Sequence, residues 1–110
     1  MGKNRMDMLQ GTLDLLVLRI LLTKSRHGYE IAKRISMLSS DLFKVGQGSL
    51  YPSLHRLEKK GFVKAEWGVT DTGRKAKFYA LTDAGRKQAE EEKRAWLEFS
   101  AAIDIIMREG

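Results

Sequence analysis

Apolar residues crowd one stretch near the start of the chain so densely that they leave it no polar side. Leu13, Leu15, Leu16, Val17, Leu18, Ile20, Leu21 and Leu22 fall on almost every face of a helix over residues 13–23. Thr12 stands where its hydroxyl would accept from an orphan amide of the first turn. A helix that is apolar all round is buried on all sides. A small domain has difficulty covering such a helix alone, so the pattern predicts help from a second chain. Asp14 and Arg19 interrupt the run, which also falls well short of the ~20 residues a membrane span needs. His27 and Gly28 then break the pattern and help start a second helix over residues 29–38. There Ile31, Ile35 and Leu38 share one side and Lys33 and Arg34 take the other. Residues 39–48 read as a connection, with Gly46 and Gly48 framing Gln47.

The third helix divides most cleanly. Ser49 is its expected N-cap, and Pro52 falls in the first turn, where a missing N–H costs nothing. At about 100° per residue, Leu50, Leu54 and Leu57 form one narrow apolar stripe. Opposite it lie Pro52, His55, Arg56 and Lys59, with Tyr51 on the flank, and Gly61 stops the helix. One face belongs to a core and the other is polar and basic.

Alternation follows. Residues 62–67 and 75–81 predict two strands of a hairpin, with Val63, Ala65 and Trp67 set apart from Phe62, Lys64 and Glu66. The join over residues 68–73 is turn-rich and longer than a tight hairpin turn, with Arg74, Lys75 and Lys77 clustered at its far edge. Thr82 is the expected cap of a last helix reaching to about Arg108, which at ~1.5 Å per residue spans on the order of 40 Å. Ala89, Trp96 and Ile103 recur at sevens along it, with Phe99 and Ile106 between them and Glu92 interrupting the stripe. Such a seam calls for a partner helix.

Three helices and a two-stranded hairpin are the element order of a winged helix-turn-helix. The expected fold class is mainly α with a small β-hairpin wing and a long C-terminal dimerisation helix. Residues 1–81 form the winged-helix part, with residues 1–8 a flexible start, and residues 82–110 form the dimerisation helix of the same compact unit. A chain of 110 residues leaves no room for a second core, and 43% hydrophobic with 31% charged residues argues for a folded chain over a disordered one.

Charge sharpens the reading. The formal net charge is +6, unevenly placed: residues 59–79 carry six Lys or Arg against two acids, whereas residues 80–110 carry five against seven. The positive field therefore lies on the helix-turn-helix and wing, as expected of a surface for a polyanion. In the major groove each base pair presents a distinct donor and acceptor pattern to a helix. Arg56 could pair with guanine edges or phosphate, His55 and Tyr51 offer donors and an aromatic face, and Pro52 suits a thymine methyl. Arg74, Lys75 and Lys77 suit phosphates or the minor groove.

Other chemistries find no footing. The chain lacks cysteine, so disulfides and thiolate metal sites are excluded, as fits a reducing cytoplasm. Two distant histidines make no metal cluster, and no cofactor is expected. There is no phosphate-binding glycine loop, no converging carboxylate pair and no Ser/His/Asp arrangement, so no enzyme is read here. A protein-interaction adaptor would have no need of the basic face.

The segments HGYEIAKRI (27–35), GSLYPSLHRLEKKGFVKAEW (48–67) and RKAKFYALTDAGRK (74–87) resemble the PadR family of bacterial transcriptional regulators. The resemblance runs from about Leu9 to Met107. It implies a winged-helix domain, a C-terminal helix that dimerises against the partner's first helix, and, in most members, repression. Carried over by position, it places DNA contacts on Tyr29, Gln47, Ser49, Tyr51, Pro52 and His55, with Arg74 and Lys77 on the wing. The implied partners are double-stranded DNA, as a pseudo-palindromic operator with half-sites about 10–10.5 bp apart, and a second copy of the chain. The dimer interface is expected on Leu13, Leu16, Val17, Ile20, Ala89, Trp96, Phe99, Ile103 and Ile106. The single C-terminal helix resembles the short-tailed branch. Two readings of Trp96 and Phe99 then stand side by side: they fill the interface core, or they line a pocket for a small aromatic effector.

Overall fold

The computed structural model describes residues 5–110, with side chains from Thr12 onward. Its elements are α1 (Arg5–Leu21), β1 (Arg26–His27), α2 (Gly28–Leu38), α3 (Gln47–Lys59), β2 (Val63–Val69), β3 (Lys75–Leu81) and α4 (Asp83–Glu109). The three strands form one antiparallel sheet in the order β1-β3-β2. This is the expected winged helix-turn-helix with a long C-terminal helix. Among the described residues no helix is long and apolar enough to cross a membrane.

α1 starts earlier than its apolar run. The backbone is helical from Arg5, so Thr12 lies in the body of the helix and is not its cap. No proline precedes Thr12 to stop the helix, and Gly11 within it costs only about 1 kcal/mol. Of the expected flexible start, residues 1–4 lie outside the described residues and residues 5–8 belong to α1.

α1 is the hub of the core. Leu13, Val17, Leu18, Ile20 and Leu21 pack with Ile31 and Ile35 of α2, Leu50, Leu54 and Leu57 of α3, Val63, Tyr79 and Leu81 of the sheet, and Ala89 of α4. All of these are buried. The chain's own elements cover much of the first helix, while Leu15 and Leu16 remain half-exposed and Arg19 exposed.

α3 also starts earlier than expected. Gly46 in extended conformation is its N-cap, and the Gly46 carbonyl accepts from the amides of Ser49 and Leu50 at 3.2 and 3.0 Å. Ser49 is therefore a first-turn residue and not the cap. Pro52 stands inside the helix, so the carbonyl of Gly48, four residues back, loses its usual i+4 amide donor.

β1 went unread because two residues carry no alternation. It pairs Arg26 with Tyr79 and His27 with Phe78. The hairpin runs in register from Val63 opposite Leu81 to Val69 opposite Lys75. β2 is thus displaced toward the tip by one residue at its start and two at its end. The turn closes with Thr70 N donating to Arg74 O at 2.8 Å, and Gly73 takes φ +84°. Thr82 caps α4 as expected, its Oγ1 accepting from Gly85 N at 3.0 Å. The molecule measures 52 × 28 × 22 Å because α4 runs on beyond the core.

Candidate nucleic-acid interface

The Leu50, Leu54 and Leu57 stripe fixes the rotation of α3 about its own axis, since all three side chains are at most 2% exposed. The opposite face, formed by Gly48, Tyr51, Pro52, His55 and Lys59, is exposed. Gln47 is exposed beside it and Ser49 is half-buried.

A polar clamp fixes the helix from its side. Asp14 of α1 accepts from Ser53 Oγ, from Arg56 Nη2 at 2.8 Å and from Arg56 Nε at 3.2 Å. Burial pushes the Asp14 carboxyl up, but the hydrogen bonds from Arg56 and Ser53 and the charges of Arg56 and Lys60 outweigh it and hold it below its ordinary value. The Arg56 guanidinium is correspondingly held above its own. Arg56, expected at the base edges, is engaged by α1. At 100° steps it lies between Pro52 and Ser53, and its side chain stays about half exposed.

α2 presents its N-terminus nearby. The His27 ring is the cap, its Nδ1 accepting from Glu30 N at 3.3 Å. The same ring stacks on Tyr29 at 6.4 Å and meets the edge of Phe78 at 5.3 Å. Arg26, 6% exposed, donates to Glu30 Oε2 and Thr23 Oγ1, both at 3.1 Å. Tyr51 lies directly over Gly28, where a Cβ would come within 2.6 Å of the tyrosine hydroxyl oxygen. Tyr51 therefore sets the spacing of α2 and α3 while remaining 36% exposed.

These contacts bring Tyr29, Gln47 and Tyr51 to one groove of about 350 Å³ between α2 and α3. Tyr29, 70% exposed, also borders a wider cleft of about 840 Å³, across which stand Arg74 and Lys75 of the wing. Lys24 and Lys33 line this cleft too. They were missed because one sits in a turn and the other reads as a solvated helix face. Among the described residues, the side chains of Lys33, Lys59, Arg74, Lys75 and Lys77 have no ion pair or hydrogen bond. Unpaired cations around an exposed helix face are free to neutralise phosphates.

The residues expected at a dimer interface separate into two groups. Leu13, Val17, Ile20 and Ala89 lie in the protomer's own core, and Leu16 is packed against it. Of these, Leu16 alone is only half-buried within the chain. Trp96, Phe99, Ile103 and Ile106 are exposed along the distal half of α4, together with Leu97, Ile105 and Met107. The rings of Trp96 and Phe99 lie 5.9 Å apart, tilted by 45°. Among the described residues no group of acidic, histidine or cysteine side chains could hold a metal.

Comparison with known proteins agrees with this geometry. The family model described as "Transcriptional regulator PadR-like family" matches residues 17–91. An uncharacterized protein of Lysinibacillus sphaericus is 37% identical over 103 residues, 94% of each chain. A transcriptional regulator of Mycobacterium tuberculosis is 38% identical over 79 residues, 72% of this chain and 60% of that one. The crystal structure of a PadR-like transcriptional regulator from Bacillus cereus superposes with a TM-score of 0.82 at 30% identity, covering 94% of this chain and 98% of the other.

Proposed function

The chain belongs to the PadR-like family of transcriptional regulators, and on that premise we propose that it is a cytoplasmic, homodimeric repressor of a pseudo-palindromic operator. Its class is regulator, not enzyme. The observation that carries the reading is the outward face of α3. A rigidly seated helix offers Tyr51, Pro52, His55 and Lys59 to solvent, flanked by a wing whose Arg74, Lys75 and Lys77 are unpaired among the described residues. A major groove admits such a helix while the wing takes the adjoining phosphates.

Dimerisation is supported by α4. The side that carries buried Ala89 in the core continues outward as exposed Trp96, Phe99, Ile103 and Ile106. A second copy is the natural cover for this stripe, and pairing sets the two recognition helices at one half-site each. The exposed neighbouring rings of Trp96 and Phe99 favour a second element of the reading, in which a planar aromatic effector inserts there and releases the operator.

Mobility shifts at fixed salt test the DNA surface. Tyr51→Ala and Arg74→Ala each weaken specific binding while sedimentation still shows the dimer. Undiminished binding by both variants sinks this recognition surface. Quenching of tryptophan emission by aromatic cations or phenolics, abolished by Trp96→Leu, tests the effector site. Quenching that survives the substitution places the ligand elsewhere.

A further inference from the structure

The chain has two tryptophans, and one of them stands on the wing. Trp67 is 70% exposed and Val69 65% exposed, against 2% for Val63 on the same face of the same strand. Side chains alternate across a strand, and residues directly opposite share a face. One face therefore carries Val63, Ala65, Trp67 and Val69 of β2, with Leu81, Tyr79, Lys77 and Lys75 opposite them on β3. Its inner half is core. Tyr79 is buried beside α3, where burial, and then the charges of Tyr51 and Glu58, raise its hydroxyl's pKa. The next step along the ladder, Trp67 opposite Lys77, lies beyond that cover.

On the other face of the hairpin Lys64 and Glu66 are exposed, and Phe78 is half-buried. Phe78 lies over Gly68, where a Cβ would come within 2.8 Å of its ring, and the Phe78 and His27 rings meet in a T-shaped contact at 5.3 Å. This packing ties the wing to β1 and the start of α2, so the direction in which Trp67 projects is fixed. Single exposed apolar residues need no explanation. Here, however, Trp67, Gly68, Val69 and Lys75 line a continuous shallow groove of about 390 Å³, and Lys75 and Lys77 have no carboxylate partner among the described residues. Burial against a protein would strand those two charges, because protein interfaces exclude unpaired lysine from their cores. A polyanion with an apolar interior edge satisfies both halves of the patch.

Building on the DNA-binding reading above, we propose that Trp67, with Val69 beside it, is the wing's apolar wedge on the minor groove of duplex DNA. Lys75 and Lys77 hold the phosphates that border it. Minor-groove proteins combine these residue types, with cations reading the groove and its walls and apolar side chains pressing on sugars and base steps. Trp67 thereby contributes affinity at positions that α3 does not reach.

The probe is a duplex that the full-length protein itself selects from a random pool. In the wild type, saturation with this duplex quenches part of the tryptophan emission, and Trp67→Phe abolishes that component. Trp67→Ala weakens binding by about tenfold, in the range of aromatic–base contacts, and Trp67→Phe restores most of it. The salt slope of log Kd is unchanged in Trp67→Ala, whereas Lys77→Ala reduces it by about one. An unaltered thermal midpoint for Trp67→Ala certifies the fold, as suits so exposed a side chain. Unchanged affinity in Trp67→Ala, or a change in oligomeric state in its place, overturns the wedge while leaving the DNA reading intact. If no duplex is selected at all, both fall together.

Discussion

Gly85→Ala should destabilise this protein even though alanine is the better helix former. Gly85 is the third residue of α4, and a Cβ at this position would lie 1.8 Å from the carbonyl oxygen of Phe62 and 2.7 Å from its carbonyl carbon. Both are backbone atoms, so no side chain can turn aside. Restoring ordinary contact requires the start of α4 and the start of the wing to part by on the order of 1.5 Å. Three hydrogen bonds cross or brace that junction: Thr82 N to Phe62 O at 3.0 Å, Thr82 Oγ1 to Gly61 O at 2.6 Å, and Gly85 N to Thr82 Oγ1 at 3.0 Å. Losing two of them removes about 2 kcal/mol, and loosening Leu81 and buried Ala89 one turn on removes roughly 1–2 more. The propensity gain of about 1 kcal/mol offsets only part of this. The expected net loss is about 2–3 kcal/mol, or roughly 10–15 °C in Tm for a chain of this length. Gly48→Ala is the matched control. Gly48 is also helical, but a Cβ there meets nothing within 4 Å, so the change should raise Tm by up to about 5 °C. Thermal denaturation followed by circular dichroism, at one fixed protomer concentration, separates the two. An unchanged or higher Tm for Gly85→Ala refutes the close-approach argument.

Other substitutions probe other parts of the structure. Because the folded Asp14 carboxyl is held below its ordinary value, its stabilisation is complete at neutral pH. It is lost as pH falls below about 3.8 and through the lower folded value. Asp14→Asn should cost roughly 1 kcal/mol in urea unfolding at neutral pH, with a flatter acid limb than the wild type; parallel pH profiles would contradict it. Lys59→Ala should lower the salt slope of DNA binding by about one, whereas Arg56→Ala should leave that slope unchanged while lowering stability, and a reversed pair of results would return Arg56 to the DNA. Ile103→Asp on exposed α4 should yield folded monomers in sedimentation velocity and weaken operator binding; a dimer that persists would move the interface off this stripe.

Periodicity made the functional core of this fold legible. The spacing of Leu50, Leu54 and Leu57 was enough to say which face of α3 is inside, and the structure buries all three. Thr82 and His27 announced their helices because their side chains do the capping. Helix starts failed where a side-chain cap was assumed. Gly46 caps α3 through its backbone carbonyl alone, and a carbonyl has no signature in a sequence. β1 failed because a two-residue strand has no period. The pairing of Arg56 was illegible for a different reason. Its partner Asp14 lies 42 residues away on another helix, and a single sequence offers nothing to pair them. Trp67 was placed on the correct side of its strand, but the strand's pattern cannot show where the core beneath it ends.

The cover of α1 links the α4 end of the protein to the α3 face by direct packing. α1 packs against α2, α3, α4 and the sheet. On one side Asp14 clamps α3 through Ser53 and Arg56. At its end, the carbonyl of Leu22 accepts from Arg86 of α4 at 3.4 Å. In the proposed dimer, a change in how two copies of α4 cross would bear directly on this packing. Close-packed interiors have little slack, so a displacement of α4 against α1 would be expected to reach α3. Since each recognition helix would have to meet its half-site at a fixed spacing, a small rotation at the α4 stripe becomes a misplacement at the DNA. In that reading the Asp14 clamp would couple as well as stabilise, because it ties the orientation of α3 to the helix against which α4 packs.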